Sequence, residues 1–157
     1  MTAPDNEPPG QPPHVAASAL LVTNESGPTL LVANPYREGL VLPGGVVESG
    51  ESPAAAAERE ALEEVGLALP AGRLLAVQHK RLGPRHESGL VFVFETQRVT
   101  DDVELTLQPD EISDVFWLSA SEAVERHTAP GRDRIAAAFT ARASGRTAYL
   151  DSARSLA

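Results

Sequence analysis

The chain breaks into short apolar runs separated by glycine, proline and asparagine. Residues 15–22 are almost wholly apolar and read as a buried strand, and Asn24-Glu-Ser-Gly27-Pro28 marks the turn after it. Residues 29–33 then form the hairpin partner. A loop over 34–39 leads to a short strand at 40–42, which enters Pro43-Gly44-Gly45. Ser52 followed by Pro53 is a helix start: serine caps the first free N–H groups, and proline loses nothing at the first helical position. Gly66 is the matching stop. An aliphatic strand over 73–82, a turn over 83–89 and a strand over 90–98 follow. In the last of these, Val91, Val93 and Glu95 share one face and Phe92, Phe94 and Thr96 the other. Residues 112–118 read as a further strand. Ser119 or Ser121 caps a short helix to about Arg126. Residues 131–143 place Ile135, Ala138, Phe139 and Arg142 at helical spacing, and 147–150 make an edge strand or extended chain. Strands on both sides of a central helix, with more helix towards the C-terminus, predict an α+β class or a mixed sheet covered by helices.

The central helix carries the chemistry-bearing residues. Its Ala54, Ala61, Leu62 and Val65 fall on one side, and Glu60, Glu63 and Glu64 on another. Glu58 lies within the apolar arc, where a carboxylate needs a partner or a route to solvent. Acids at i, i+3 and i+4 share a face and repel one another by roughly a few tenths of a kcal/mol. Such a row is either a solvated helix face or a seat for a divalent cation. The glycines ahead of the helix favour the cation, because glycine backbone approaches a ligand closely. Mg²⁺ takes oxygen ligands, commonly one or two carboxylates plus substrate phosphates.

Gly45, Glu51, Arg59, Glu60, Glu63, Glu64, Gly66 and Leu67 stand at the spacing GX5EX7REUXEEXGU, with U a bulky aliphatic residue. The run resembles the Nudix box, with one departure: Ala61 occupies the first U position, small but apolar. The resemblance implies an α+β fold, the Nudix α/β/α sandwich with a central mixed β-sheet. It implies Mg²⁺-dependent (or Mn²⁺-dependent) hydrolysis of a phosphoanhydride in a nucleoside diphosphate linked to another moiety, such as ADP-ribose, or in a (d)NTP. It makes Glu60 and Glu64 metal ligands, Glu63 a ligand, a base or both, and the Gly45 carbonyl a further ligand. Arg59 would hold Glu51 and one of the box glutamates through its planar fork. In the family, a loop acid ahead of a downstream strand often supplies the base or another ligand. Glu111, in Pro109-Asp-Glu-Ile, takes that place, with Asp110 and Glu95 in reserve.

Arg37 and Arg81 are candidate phosphate contacts, with His79, Arg85 and His86 behind them, and Tyr36 could stack on a base. The signatures of the NADH and coenzyme A members are absent. Pro84 lies seventeen residues past Leu67, one beyond the place where ADP-ribose members tend to carry proline. The alternative is a non-catalytic Nudix-fold nucleotide-binding or sensor module. Such proteins usually lose box acids, and here all are present.

Length and composition narrow the setting. The 157 residues fit one domain over 14–157, after a proline-rich arm at 1–13 that is expected to be disordered. There is no cysteine, so disulfides and thiolate metal sites are excluded, which fits the cytoplasm. A formal net charge of −9 disfavours non-specific binding to nucleic acid or to an anionic membrane. No apolar run reaches the roughly 18 residues of a membrane span, and the N-terminus does not read as a signal peptide. The expected partner is a small-molecule nucleotide. Many Nudix members are dimers, which leaves a homodimer open. The negative charge also means that an anionic substrate needs a local cationic element.

Overall fold

A computed structural model describes residues 14–81 and 88–152. The expected arm, most of the turn over 83–89, Pro84, Arg85 and His86 lie outside the described residues. In chain order the elements are β1 (Val15–Leu21), β2 (Thr29–Ala33), β3 (Leu40–Val41), β4 (Gly44–Val46) and α1 (Pro53–Val65). Then come β5 (Leu74–Arg81), β6 (Ser88–Glu95), β7 (Asp114–Leu118), α2 (Ala120–Arg126), α3 (Arg132–Ser144) and β8 (Ala148–Asp151). Among the described residues, no helix is long and apolar enough to cross a membrane.

A five-stranded sheet runs β4-β1-β6-β5-β8 and is mixed: β1–β6 and β5–β8 are parallel, β1–β4 and β5–β6 antiparallel. A three-stranded sheet, β3-β2-β7, is antiparallel. Successive side chains of β1 and β2 feed two separate cores, as alternation along a strand requires. Leu20, Val22, Leu30 and Val32 pack with Ala57, Ala61 and Val65 of α1, while Leu21 and Leu31 pack with Ile135, Ala138 and Ala141 of α3. Burial on both faces explains why these strands read as unbroken apolar runs.

The expected β1–β2 hairpin is present only at its turn. Asn24 N–H donates to the Pro28 carbonyl at 3.0 Å and Leu30 N–H to Val22 at 2.9 Å. Beyond that turn β1 joins the first sheet and β2 the second. Strand β4, which the sequence reading left within the glycine loop, pairs with β1 and sets Gly45 opposite Ser18. Helix α1 begins and ends as expected: Ser52 Oγ accepts from Ala55 N–H at 3.1 Å, and Gly66 closes it at φ 75°. Its buried face is rotated from the expected one, with Ala56, Ala57, Ala61 and Val65 inside and Leu62 53% exposed. Glu58 has a partner, accepting from the Ala71 N–H at 2.7 Å. Ser119, not Ser121, caps α2, in a reciprocal box with Glu122.

Candidate active site

The glycine turn and α1 meet where side chains would not fit. Gly44 N–H donates to Glu64 Oε2 at 3.0 Å. A Cβ on Gly44 would overlap Ser18 and Ala19, and one on Gly45 would overlap the Glu60 carboxylate. Here glycine serves close approach rather than a left-handed backbone. One carboxylate oxygen from each of Glu60, Glu64 and Glu111 lies within 4.8 Å of the other two. Glu64 is buried, Glu60 partly buried and Glu111 exposed.

Glu111 is delivered by a loop strapped to the end of α1. Thr106 N–H donates to the Val65 carbonyl at 3.0 Å, and Gln108 N–H to the Glu64 carbonyl at 3.0 Å. Glu111 N–H then closes a turn onto Gln108 at 3.2 Å. Of the reserve acids, Glu95 is engaged by Arg73 at 3.2 Å, and Asp110 is exposed and outside the three-carboxylate group.

Arg59 uses its whole fork. Nε and Nη2 hold Glu51 bidentately at 2.9 and 3.1 Å, Nη1 reaches Glu60 at 2.9 Å and Glu63 at 3.1 Å, and Nη2 also donates to the Val46 carbonyl at 3.0 Å. The sequence reading assigned it Glu51 and one box glutamate; it holds two. These contacts raise its pKa, chiefly through Glu51, and hold the Glu51 carboxyl below its usual range. Burial pushes Glu60 upward against the pull of Arg59. Burial pushes Glu64 up to about 8, with the charges of Glu60 and Glu111 adding to it and the Gly44 N–H and Arg37 opposing it. Three converging carboxylates, one of them buried, make a donor set suited to a hard divalent cation. Glu63 stands outside that trio, half exposed and tethered by Arg59.

The other flank of the glycine turn opens into a cavity of about 300 Å³, lined by Gly44, Gly45, Arg37, Lys80, His127 and Arg134 among others. Small residues make the room: Gly89 faces Lys80 across β5–β6, and Ala17 and Ala19 form one wall. Arg37, a candidate phosphate contact, lines the cavity, and its charge acts on Glu64. Arg81 does not line the cavity; it is exposed at the end of β5, and Lys80 takes the position instead. The one-residue difference is decisive because neighbours on a strand point to opposite faces. His79 pairs with Asp151 at 3.3 Å, and Tyr36 is 82% exposed.

Lys80, His127 and Arg134 were missed. One signal was available for Lys80. Ala76, Gln78 and Lys80 share one face of β5, and fully buried Gln78 breaks its apolar character. Gln78 accepts a hydrogen bond from Arg134 Nη1. His127 is buried, which pulls its pKa down to about 4 and keeps the ring neutral.

The family model for the NUDIX domain matches residues 12–139, covering the glycine turn, α1 and the Glu111 loop. The chain belongs to the NUDIX domain family. It is 35% identical over 75 residues to human diphosphoinositol polyphosphate phosphohydrolase 3-alpha, which is 48% of this chain and 45% of that protein. The chain thus spans less than half the length of that curated relative. Among solved structures, the MutT protein of Methanosarcina mazei Go1 superposes with a TM-score of 0.69 at 22% identity, over 87% of this chain and 99% of that one. The E. coli ORF135 protein gives 0.71 at 23%, over 89% and 98%. Identities this low establish the fold, a Nudix α+β sandwich with a mixed central sheet.

Proposed function

We propose that the protein is a Nudix-type pyrophosphohydrolase that uses Mg²⁺ or Mn²⁺ to cleave a phosphoanhydride in a nucleoside diphosphate linked to another moiety. The convergence of Glu60, Glu64 and Glu111 within 4.8 Å carries this reading. Glu60, Glu64 and Glu111 would hold the ion, with the Gly45 carbonyl as a further donor. When bound, a divalent ion neutralises diphosphate charge and lowers the pKa of a water it holds. Glu63, exposed and oriented by Arg59, accepts the proton of the attacking water. Arg59 keeps Glu51, Glu60 and Glu63 in one arrangement, so the acids lose little freedom when the substrate arrives. Arg37, on the rim between acids and cavity, contacts the substrate phosphates. The absence of cysteine from the sequence fits a cytoplasmic setting.

The test is chromatographic separation of the products formed from a panel of nucleotide sugars, dinucleoside polyphosphates and (d)NTPs. Turnover that disappears with EDTA and returns with Mg²⁺ supports the reading. A protein that binds nucleotides in the presence of Mg²⁺ but hydrolyses none of them is a sensor module, and the hydrolase reading then fails.

A further inference from the structure

Arg37, Lys80 and Arg134 converge on the cavity beside the glycine turn, in a chain whose net charge is −9. Among the described residues, no ion pair joins any of the three to a carboxylate. Arg134 is partly buried against the cavity, and its side chain donates to the neutral Gln78. A guanidinium drawn out of water without an anion is costly unless a ligand completes it. Lys80 is in the same position: burial lowers its pKa first, and the charges of Arg134 and Arg37 lower it further. Like charges gathered this way repel until an anion enters. Apart from Ser18, the three cations and the buried His127 ring, the walls are aliphatic or glycine, and no Phe, Tyr or Trp lines the cavity among the described residues. A nucleobase pocket of the stacking kind relies on an aromatic face for about 1–3 kcal/mol per base. This cavity offers cations instead, two of them planar forks that match phosphate oxygens.

We propose that the cavity binds a second phosphate of the substrate, held by Lys80, Arg134 and Arg37, so that the preferred substrate is a diphosphate whose distal moiety is itself phosphorylated. This rests on the hydrolase reading only for the position of the scissile diphosphate. The cationic seat is testable without turnover.

The first measurement is thermal unfolding of the full chain in EDTA, with 10 mM inorganic phosphate against sodium chloride of equal ionic strength. Phosphate should raise the Tm of the wild type by about 4 °C, the shift for binding at roughly ten times Kd. Glu64→Gln should keep the shift, Lys80→Arg should keep most of it, and Lys80→Gln should lose it. The second measurement compares kcat/KM for ADP-ribose and ADP-ribose 1″-phosphate, which carries its extra phosphate on the distal ribose, with Mg²⁺. The phosphorylated substrate should lead by about tenfold in the wild type, the effect of one added charge-assisted contact, and the lead should shrink towards parity in Lys80→Gln. An equal phosphate shift in wild type and Lys80→Gln, or none in either, overturns the seat. A shift that behaves as described without any substrate preference overturns the substrate class. A shift that behaves as described in a protein that hydrolyses nothing leaves the seat standing and overturns the hydrolase reading alone.

Discussion

Helices α1 and α3 are both 13 residues long and both end at a left-handed glycine; α1 carries Glu64 into the interior, and α3 brings Arg134 to the cavity wall. In α1 the buried charge is Glu64, and the chain surrounds it with a backbone N–H and sets Arg59 among the neighbouring acids. On α3 the corresponding charge is Arg134, half-buried, whose side chain donates to the neutral Gln78. The acidic side is therefore internally braced, while the basic side has no ion pair among the described residues. Two seats of opposite sign flank Gly44–Gly45, a pair of residues with no side chain to separate them. On the function proposed above, the difference in bracing has a use: the braced cluster would hold an ion rigidly, while the loose one would adapt to a substrate group.

The largest effect that tests this contrast is expected from Glu64→Gln. It removes the buried charge at the centre of the acidic side and should lower kcat by about three orders of magnitude with the circular dichroism unchanged. An unchanged kcat would take α1 out of the chemistry. Next is Arg59→Lys, since lysine cannot make the planar bidentate contact to Glu51. Loss of this bracing should raise the Mg²⁺ concentration for half-maximal activity by about tenfold; superimposable Mg²⁺ titrations would remove the clamp.

A smaller effect follows from the charge on Glu64. Its folded pKa, about 8, lies above the ordinary carboxylate value of 4.5, so between these values the folded protein holds a proton that the unfolded chain has lost. That stabilisation is complete below the unfolded pKa and disappears as pH rises through the folded one. His127 acts oppositely, but only between about 4 and 6.5. Between pH 6.5 and 8 the metal-free Tm should thus fall by roughly 5 °C, and Glu64→Gln should flatten the curve. A flat wild-type curve in EDTA would show that Glu64 is ionised throughout. The smallest effect concerns the remote end of α1. Glu58→Ala leaves the Ala71 N–H without its acceptor and should cost about 1 kcal/mol, seen as a Tm lower by roughly 2–4 °C with kcat intact.

What the sequence disclosed follows the same division. Helix α1 was legible because caps, glycine stop and acids are all local, at fixed offsets within one turn or two. Its buried face was misjudged at Leu62 because the neighbouring layer, not the wheel alone, selects which apolar side chains go inside. Glu111 was legible as a loop acid, but the hydrogen bonds that fix it beside Glu64 join segments over forty residues apart. Arg81 was named and Lys80 was not, because a strand's facing is set by register against partners such as Gly89, and no local pattern specifies that partner. Nothing local marks Arg134, in the first turn of α3; only the packing of α3 onto β5 reveals where it goes. The separation of β1 and β2 into two sheets was hidden for the same reason.

The strap from Thr106 and Gln108 to the last turn of α1 bears on transplantation. Residues 45–67 look like a portable cassette, yet moved alone into another scaffold they would carry only two of the three converging carboxylates. The third arrives only if the recipient also supplies a returning segment that docks on the open carbonyls of Val65 and Glu64, and leaves room where Gly66 meets Thr106. The smallest heritable unit of this site is thus two segments and the seam between them.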